Sequence, residues 1–196
     1  MKKPAHIIEI FLHPGDFYFG DKSTRIRTLL GSCVSIAIWH PGLQIGGMCH
    51  YLLPSRAGKR SDTLDGRYAE DAMALFMQEI RQSGTSPAEY EVKLFGGGNM
   101  FPKNRQGGGC KDVPCKNVLV GRELVERYGF KIKAEDLGGV GHRRIIFDIW
   151  SGDVWVRQNS AALPSQFDMS EDSPVYEILP ARALMDGAGS IRGAKG

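Results

Sequence analysis

At 196 residues the chain is long enough to bury a sizeable core and fits one domain better than two. It is 42% hydrophobic and 24% charged, the composition of ordinary globular protein. The net charge of +3 comes from dispersed basic residues, and no apolar run approaches the roughly 20 residues that span a bilayer. Neither nucleic-acid binding nor membrane insertion is expected.

The chain opens with Lys2 and Lys3, as a signal peptide does. His6, Glu9 and His13 interrupt the apolar segment, however, and no small-residue cleavage site follows. Residues 6–12 (HIIEIFL) read as a strand of the mature protein, which implies a cytoplasmic location. HPGDF is a turn. Residues 21–28 (DKSTRIRT) alternate poorly and lead into LLGSC. VSIAIW then alternates as a strand does, with Val34, Ile36 and Ile38 on one face and Ser35 and Ala37 on the other. A turn at Pro41-Gly42 returns the chain as IGGMCHYLL.

Residues 55–66 form a polar loop, long enough to cover a site or bind a partner. From Arg67 to Gly84 the period turns helical, with Tyr68, Ala72, Leu75, Phe76 and Ile80 on one face. YEVKLFGGGNMF reads as a strand and a glycine turn. NVLVGRELVERYGF reads as a second helix, capped by Asn117 and ended by Gly129. FKIKAEDLGG is a further segment, and RRIIFDIWSGDVWVRQ is two strands joined at Ser151-Gly152. Strands with two interposed helices predict an α/β or α+β layered fold around one mixed sheet. Residues 161–196 read as a C-terminal extension, flexible towards its end.

The stretch from Leu29 to Pro54 holds the most suggestive pair. If the hairpin turns about Pro41-Gly42, residues facing each other have numbers summing to 83. Cys33 then lies directly across from His50, on the same face. An imidazole beside a thiol can take its proton, make the nucleophilic thiolate and later protonate a leaving amine. Gly31 and Ser32 precede the cysteine, where a glycine lets substrate approach and N–H groups can stabilise an oxyanion. Thr28, Glu135 and Asp136 are rival orienters of the base. The competing reading is that Cys33 and His50 are ordinary core residues, since free cysteine is often buried.

Cys49 is expected on the opposite face, as core packing. Cys110 and Cys115 are expected to be free thiols in a reducing compartment. With His142 as the one further candidate, they fall short of a zinc site. The GGG runs lack the following Lys-Ser/Thr of a phosphate loop, so a tight turn near a site is the better reading.

LLGSCVSIAIWHP, GGMCHYLLP, KLFGGGNMF and AEDLGGVGHRRIIFD, in that order, resemble the CheD family of chemoreceptor glutamine deamidases. The resemblance runs from about Ile7 to Gln158, and assigns residues 1–160 to a deamidase domain. It implies a single-domain, three-layer α/β sandwich with a mixed β-sheet core, similar to bacterial toxin deamidase catalytic domains. It implies hydrolysis of glutamine side-chain amides on methyl-accepting chemotaxis receptors to glutamate, with release of ammonia. Carried over by position, Cys33 is the nucleophile, His50 the base and Thr28 the third member. No metal or organic cofactor is implied. A CheC-like phosphatase is an implied partner, and a non-enzymatic adaptor binding it or receptors is the alternative function. Where family members often show Gly-Gly-Met-Asn-His, this chain has Cys49 in place of the asparagine.

Overall fold

The computed structural model describes residues 3–56, 63–100, 110, 112–159 and 179–180. Its elements are β1 (Ile8–Leu12), β2 (Phe17–Gly20), β3 (Thr24–Leu30), β4 (Val34–His40), β5 (Ile45–Cys49) and α1 (Ala69–Gln82). After a 3-10 turn at Pro87–Glu89 come β6 (Glu91–Gly96), α2 (Val113–Arg127), β7 (Lys131–Leu137), β8 (His142–Asp148), β9 (Asp153–Asn159) and β10 (Leu179–Pro180). Residues 57–62 of the expected polar loop lie outside the described residues, as do 101–109 and 111 and nearly all of the expected extension at 161–196. Among the described residues, no helix is long and apolar enough to cross a membrane.

The strands divide between two five-stranded sheets, ordered β1-β3-β8-β9-β10 and β2-β5-β4-β6-β7. Each is mixed: β1 pairs with β3 in parallel, β6 pairs with β7 in parallel, and the remaining pairs are antiparallel. One hydrophobic core joins α1 and α2 to the second sheet through Val34, Ile36, Ile38, Phe76, Leu94 and Val125. The other joins the two sheets through Ile26, Leu30, Ala37, Trp39, Met48 and Phe147. The layers are therefore helices, sheet, sheet. The three-layer α/β sandwich is as expected, with the single expected sheet replaced by two.

β4 lies at the centre and is buried on both faces, where the alternation of VSIAIW only separates Val34, Ile36 and Ile38 from Ser35 and Ala37. β3 shows strict alternation, with Thr24, Ile26, Thr28 and Leu30 buried. Two of these four inward residues are threonines, so hydrophobic periodicity alone does not show the strand. β2 follows the HPGDF turn, sharing only Phe17 with it, in a stretch with no strand signal; its four residues are half-buried with no clear inward face. A hairpin forms at the expected place, but its loop is residues 149–152 and not Ser151-Gly152 alone, with Asp148 opposite Asp153 and Gly152 at φ 74°.

The β4–β5 hairpin corrects the expected register. Its pairs are Ala37–Met48, Ile38–Gly47, Trp39–Gly46 and His40–Ile45, all summing to 85. The loop is Pro41-Gly42-Leu43-Gln44, with Gln44 at φ 54°. A two-residue hairpin turn centred on Pro41-Gly42 would need positive φ at its first central residue. Proline's ring fixes φ near −65°, so the loop must lengthen. The His40 ring supports it, its Nδ1 accepting from the Gly42 and Leu43 N–H groups at 3.2 and 3.1 Å. Because the slip is two residues and not one, every side chain keeps its face.

Both helices end in the same backbone motif, with Gly84 and Gly129 at positive φ. The start of α2 differs from the expected one. Its cap is Asp112, whose carboxylate accepts the Cys115 N–H at 3.2 Å; Asn117 lies inside the helix and is fully buried. Cys110 and Cys115 are not free thiols: they form a disulfide with Cα atoms 5.4 Å apart. The helix start between them brings the pair within bonding reach, which spacing alone does not show.

Candidate active site

β3 ends at Leu30 in one sheet and β4 begins at Val34 in the other. The chain crosses between sheets over Gly31-Ser32-Cys33. This leaves Cys33 half-buried at the edge of the inter-sheet core. His50 follows the last residue of β5 and is 2% exposed. Val34 and Tyr51 exchange both backbone hydrogen bonds, at 3.1 and 3.0 Å. Cys33 and His50 flank that pair as diagonal neighbours on the inter-sheet face. Diagonal neighbours typically lie about 7–8 Å apart, within reach of an aromatic ring but looser than the directly opposed pair the sequence suggested.

Thr28 reaches His50 from the other sheet. Its Oγ1 lies 2.8 Å from His50 Nδ1 and donates to the Leu12 carbonyl at 2.8 Å. A hydroxyl has one proton. With that proton on the Leu12 carbonyl, Thr28 can only accept from the ring, so Nδ1 carries the hydrogen and Nε2 carries the lone pair. His50 Nε2 is buried and has no hydrogen-bond partner among the described residues. The threonine thus selects the tautomer in which the free nitrogen is basic.

Burial governs the charges. It lowers the His50 pKa to about 4; the Leu12 carbonyl and Asp16 oppose the shift and His13 adds to it. Burial likewise pushes the Cys33 thiol up, offset in part by a hydrogen bond from the Ser32 side chain. Both shifts favour the neutral thiol and the neutral imidazole over an ion pair.

The crossing loop is held through its carbonyls. Gly31 O accepts from the Gly98 N–H at 2.8 Å, and Cys33 O from the Gly97 N–H at 2.7 Å. Ser32 O accepts from Asn117 Nδ2 at 3.2 Å. In a trans peptide the N–H points opposite to the carbonyl of the preceding residue. The Ser32 and Cys33 N–H groups are therefore turned away from these anchors. β6 has to end in glycine here: Gly96 has φ 115°, and a Cβ on it would stand 2.2 Å from the Cys33 carbonyl.

Of the residues singled out in the sequence, Thr28, Gly31, Ser32, Cys33 and His50 gather in this one region. The rival orienters are occupied elsewhere. Asp136 pairs with the buried Arg143 at 2.7 Å, and Glu135 with Arg122 at 3.0 Å. Cys49 is buried in the helix-facing core, where burial raises its thiol to about 12. His142, expected in a loop, is buried at the start of β8. Two contributors were not legible as such: the Leu12 carbonyl, because main-chain acceptors leave no sequence signal, and Asn117. The one clue to Asn117 is an asparagine amid the apolar residues of a helix, where its side chain competes with the backbone and lowers helix propensity.

The fold and site define a layered α/β/β protein with a buried threonine–histidine pair beside a half-buried cysteine. The family described as CheD chemotactic sensory transduction matches residues 52–158, a segment that begins two residues after His50. Over 157 residues the chain is 50% identical to "Probable chemoreceptor glutamine deamidase CheD" of Pseudomonas savastanoi pv. phaseolicola, covering 80% of this chain and 88% of that one. It is 48% identical over 155 residues to "Probable chemoreceptor glutamine deamidase CheD 3" of Dechloromonas aromatica, covering 78% and 89%. It is 43% identical over 162 residues to "Probable chemoreceptor glutamine deamidase CheD 1" of Leptospira interrogans, covering 80% and 96%. The chain belongs to the CheD family. Among solved structures it is similar, distantly, to Bacillus licheniformis hypothetical protein YfiH, with TM-score 0.40, 15% identity and coverage of 64% and 50%.

Proposed function

We propose that the protein deamidates glutamine side chains of chemotaxis receptors, hydrolysing them to glutamate through a thioester on Cys33. The observation that carries this reading is the Thr28–His50 contact of 2.8 Å, with Nε2 left unpartnered among the described residues on the face that Cys33 shares. The names of the relatives supply the substrate class.

Glutamine binding brings the side-chain carbonyl carbon to Sγ. The thiol proton passes to His50 Nε2 as the S–C bond forms. The resulting oxyanion is stabilised by backbone N–H groups of the crossing loop, those of Ser32 and Cys33 being free of the loop's own anchors. The imidazolium then protonates the leaving nitrogen, the C–N bond breaks and ammonia departs. A water gives a proton to Nε2 and attacks the thioester. Collapse of that second intermediate releases glutamate and restores the thiol. Thr28 holds Nδ1–H throughout, so that Nε2 is the nitrogen that moves the proton. Every step uses side chains, backbone and water alone.

The test is mass spectrometry of receptor cytoplasmic fragments incubated with the protein. Each converted glutamine gains about one mass unit and releases one ammonia. The wild type should do both, and Cys33→Ala neither, while keeping its circular dichroism spectrum. Conversion by Cys33→Ala at the wild-type rate would sink the mechanism. No conversion by the wild type on any receptor would favour an adaptor that binds receptors or a CheC-like phosphatase.

A further inference from the structure

The residues that carry the nucleophile and the base belong to two chain segments, and one side chain holds both. Asn117 is fully buried in the second turn of α2. Its Nδ2 donates to the Ser32 carbonyl at 3.2 Å and to the Leu52 carbonyl at 2.7 Å. Ser32 adjoins Cys33, and Leu52 lies two residues past His50. Each contact uses one of the amide's two hydrogens, so the orientation of the side chain is determined by its acceptors. Oδ1 is left buried without a partner among the described residues. An unpaired buried carbonyl is a cost that stability alone does not favour.

Two further contacts seat the helix at this spot. The Tyr51 hydroxyl, from the residue beside His50, donates to the Asn117 main-chain carbonyl at 2.7 Å. One turn on, a Cβ at Gly121 would stand 2.4 Å from that hydroxyl, so the helix can approach this closely only with glycine there. α2 therefore grips both segments at the point where they pass each other.

We propose that Asn117 is a positioning residue for the reaction proposed above: its amide sets the separation of Cys33 Sγ and His50 Nε2 by tying the Ser32 and Leu52 carbonyls to one nitrogen. Alanine frees both carbonyls. Aspartate sets acceptors against acceptors. In either case the nucleophile and base lose their common reference while their own chemistry is intact. Asn117 does not touch solvent, so receptor binding should be spared.

The experiment compares wild type, Asn117→Ala, His50→Ala and Leu124→Ala. Leu124 is buried on the same helix and its apolar side chain can donate to neither carbonyl, so its variant loses stability without removing the clamp's hydrogen bonds. The first readout is the rate of iodoacetamide alkylation at Cys33 against pH, followed by mass spectrometry below each variant's melting temperature. The Asn117→Ala profile should move from that of wild type towards that of His50→Ala, and Leu124→Ala should track wild type. The second readout is receptor deamidation: kcat should fall roughly 10- to 100-fold in Asn117→Ala, the range expected for slightly misplaced reacting groups, with KM within about twofold. An unchanged alkylation profile in Asn117→Ala, or an equal change in Leu124→Ala, overturns the proposal. If Asn117→Ala does not fold, Asn117→Ser keeps one donor and is judged by the same profiles. If the wild type releases no ammonia, the deamidase reading fails, while the alkylation profiles still decide the positioning role.

Discussion

The β4–β5 hairpin has two faces, and each carries one free cysteine. Cys49 looks towards the helices among Tyr51, Ala69, Phe76 and Ile80, and is fully buried. Cys33 lies on the face towards the other sheet, half-buried at the crossing loop, near His50 and Thr28. One face is apolar from Val34 to Ile38, with His40 at its end, and serves stability. The other is apolar at its centre and polar at its rim, where the chain changes sheets. The same residue type thus becomes packing material or a candidate nucleophile according to face and depth alone. A thiol sealed in apolar surroundings ionises only with difficulty, whereas one at a rim can meet both a base and a substrate.

The sharpest way to break this contrast is to disable the rim. His50→Gln keeps volume and hydrogen bonding but removes the base, and should lower kcat by about 10²- to 10⁴-fold in an ammonia-release assay. Loss below tenfold would show that the thiol needs no base from this ring. Next in size is the tautomer anchor. Thr28→Val removes the acceptor for Nδ1–H and should cost about 10- to 100-fold, while Thr28→Ser should recover most of the rate. Equal activity in Val and Ser variants would remove Thr28 from the mechanism.

The acidity of His50 offers a graded test. Because burial lowers its pKa to about 4, Nε2 remains a base well below the usual histidine range. The acid limb of kcat/KM should fall near pH 4, and a limb near pH 6.5 would show that the ring is solvated in solution. Linkage follows with a definite sign. The folded state binds this proton less readily than the unfolded chain, so the stability it preserves is complete above about pH 6.5. That stability is lost as pH falls towards 4, by about 3 kcal/mol over the full range. Urea midpoints measured from pH 7 to 4 should decline less steeply in His50→Gln than in wild type.

On the other face the effects should reverse. Phe76→Ala should cost about 3–5 kcal/mol of stability and leave kcat unchanged below its melting temperature. Cys49→Ala should be the mildest, at about 1 kcal/mol and less than a twofold change in rate. A large rate loss from either would mean that the two faces are coupled through the sheet.

Much of this contrast could be read from residues alone. The alternation of VSIAIW assigned the faces of β4, and parity placed Cys33 and His50 together and Cys49 opposite. The register differs from the expected one by two residues, because Pro41 cannot take the first central position of a tight hairpin turn and the loop lengthens to compensate. The face assignment survived, since only an odd slip exchanges faces. β3 is not legible as a strand because threonines fill half of its buried positions. In the sequence Asn117 reads as a helix cap, because a cap and a buried clamp call for the same short amide.

By itself, then, the sequence determined local pattern: which residues alternate, where glycine and proline stop an element, and which residue types can do nucleophilic chemistry. Those properties depend on neighbours a few positions away. Tertiary structure decided the division of the strands into two sheets, the Cys110–Cys115 bond, and the choice of Thr28 over Glu135 and Asp136 as the partner of His50. The disulfide depends on the helix start between its two cysteines, whereas the sheet division and the Thr28–His50 contact depend on groups distant in sequence meeting within about 3 Å, which chain order does not encode until the layers pack.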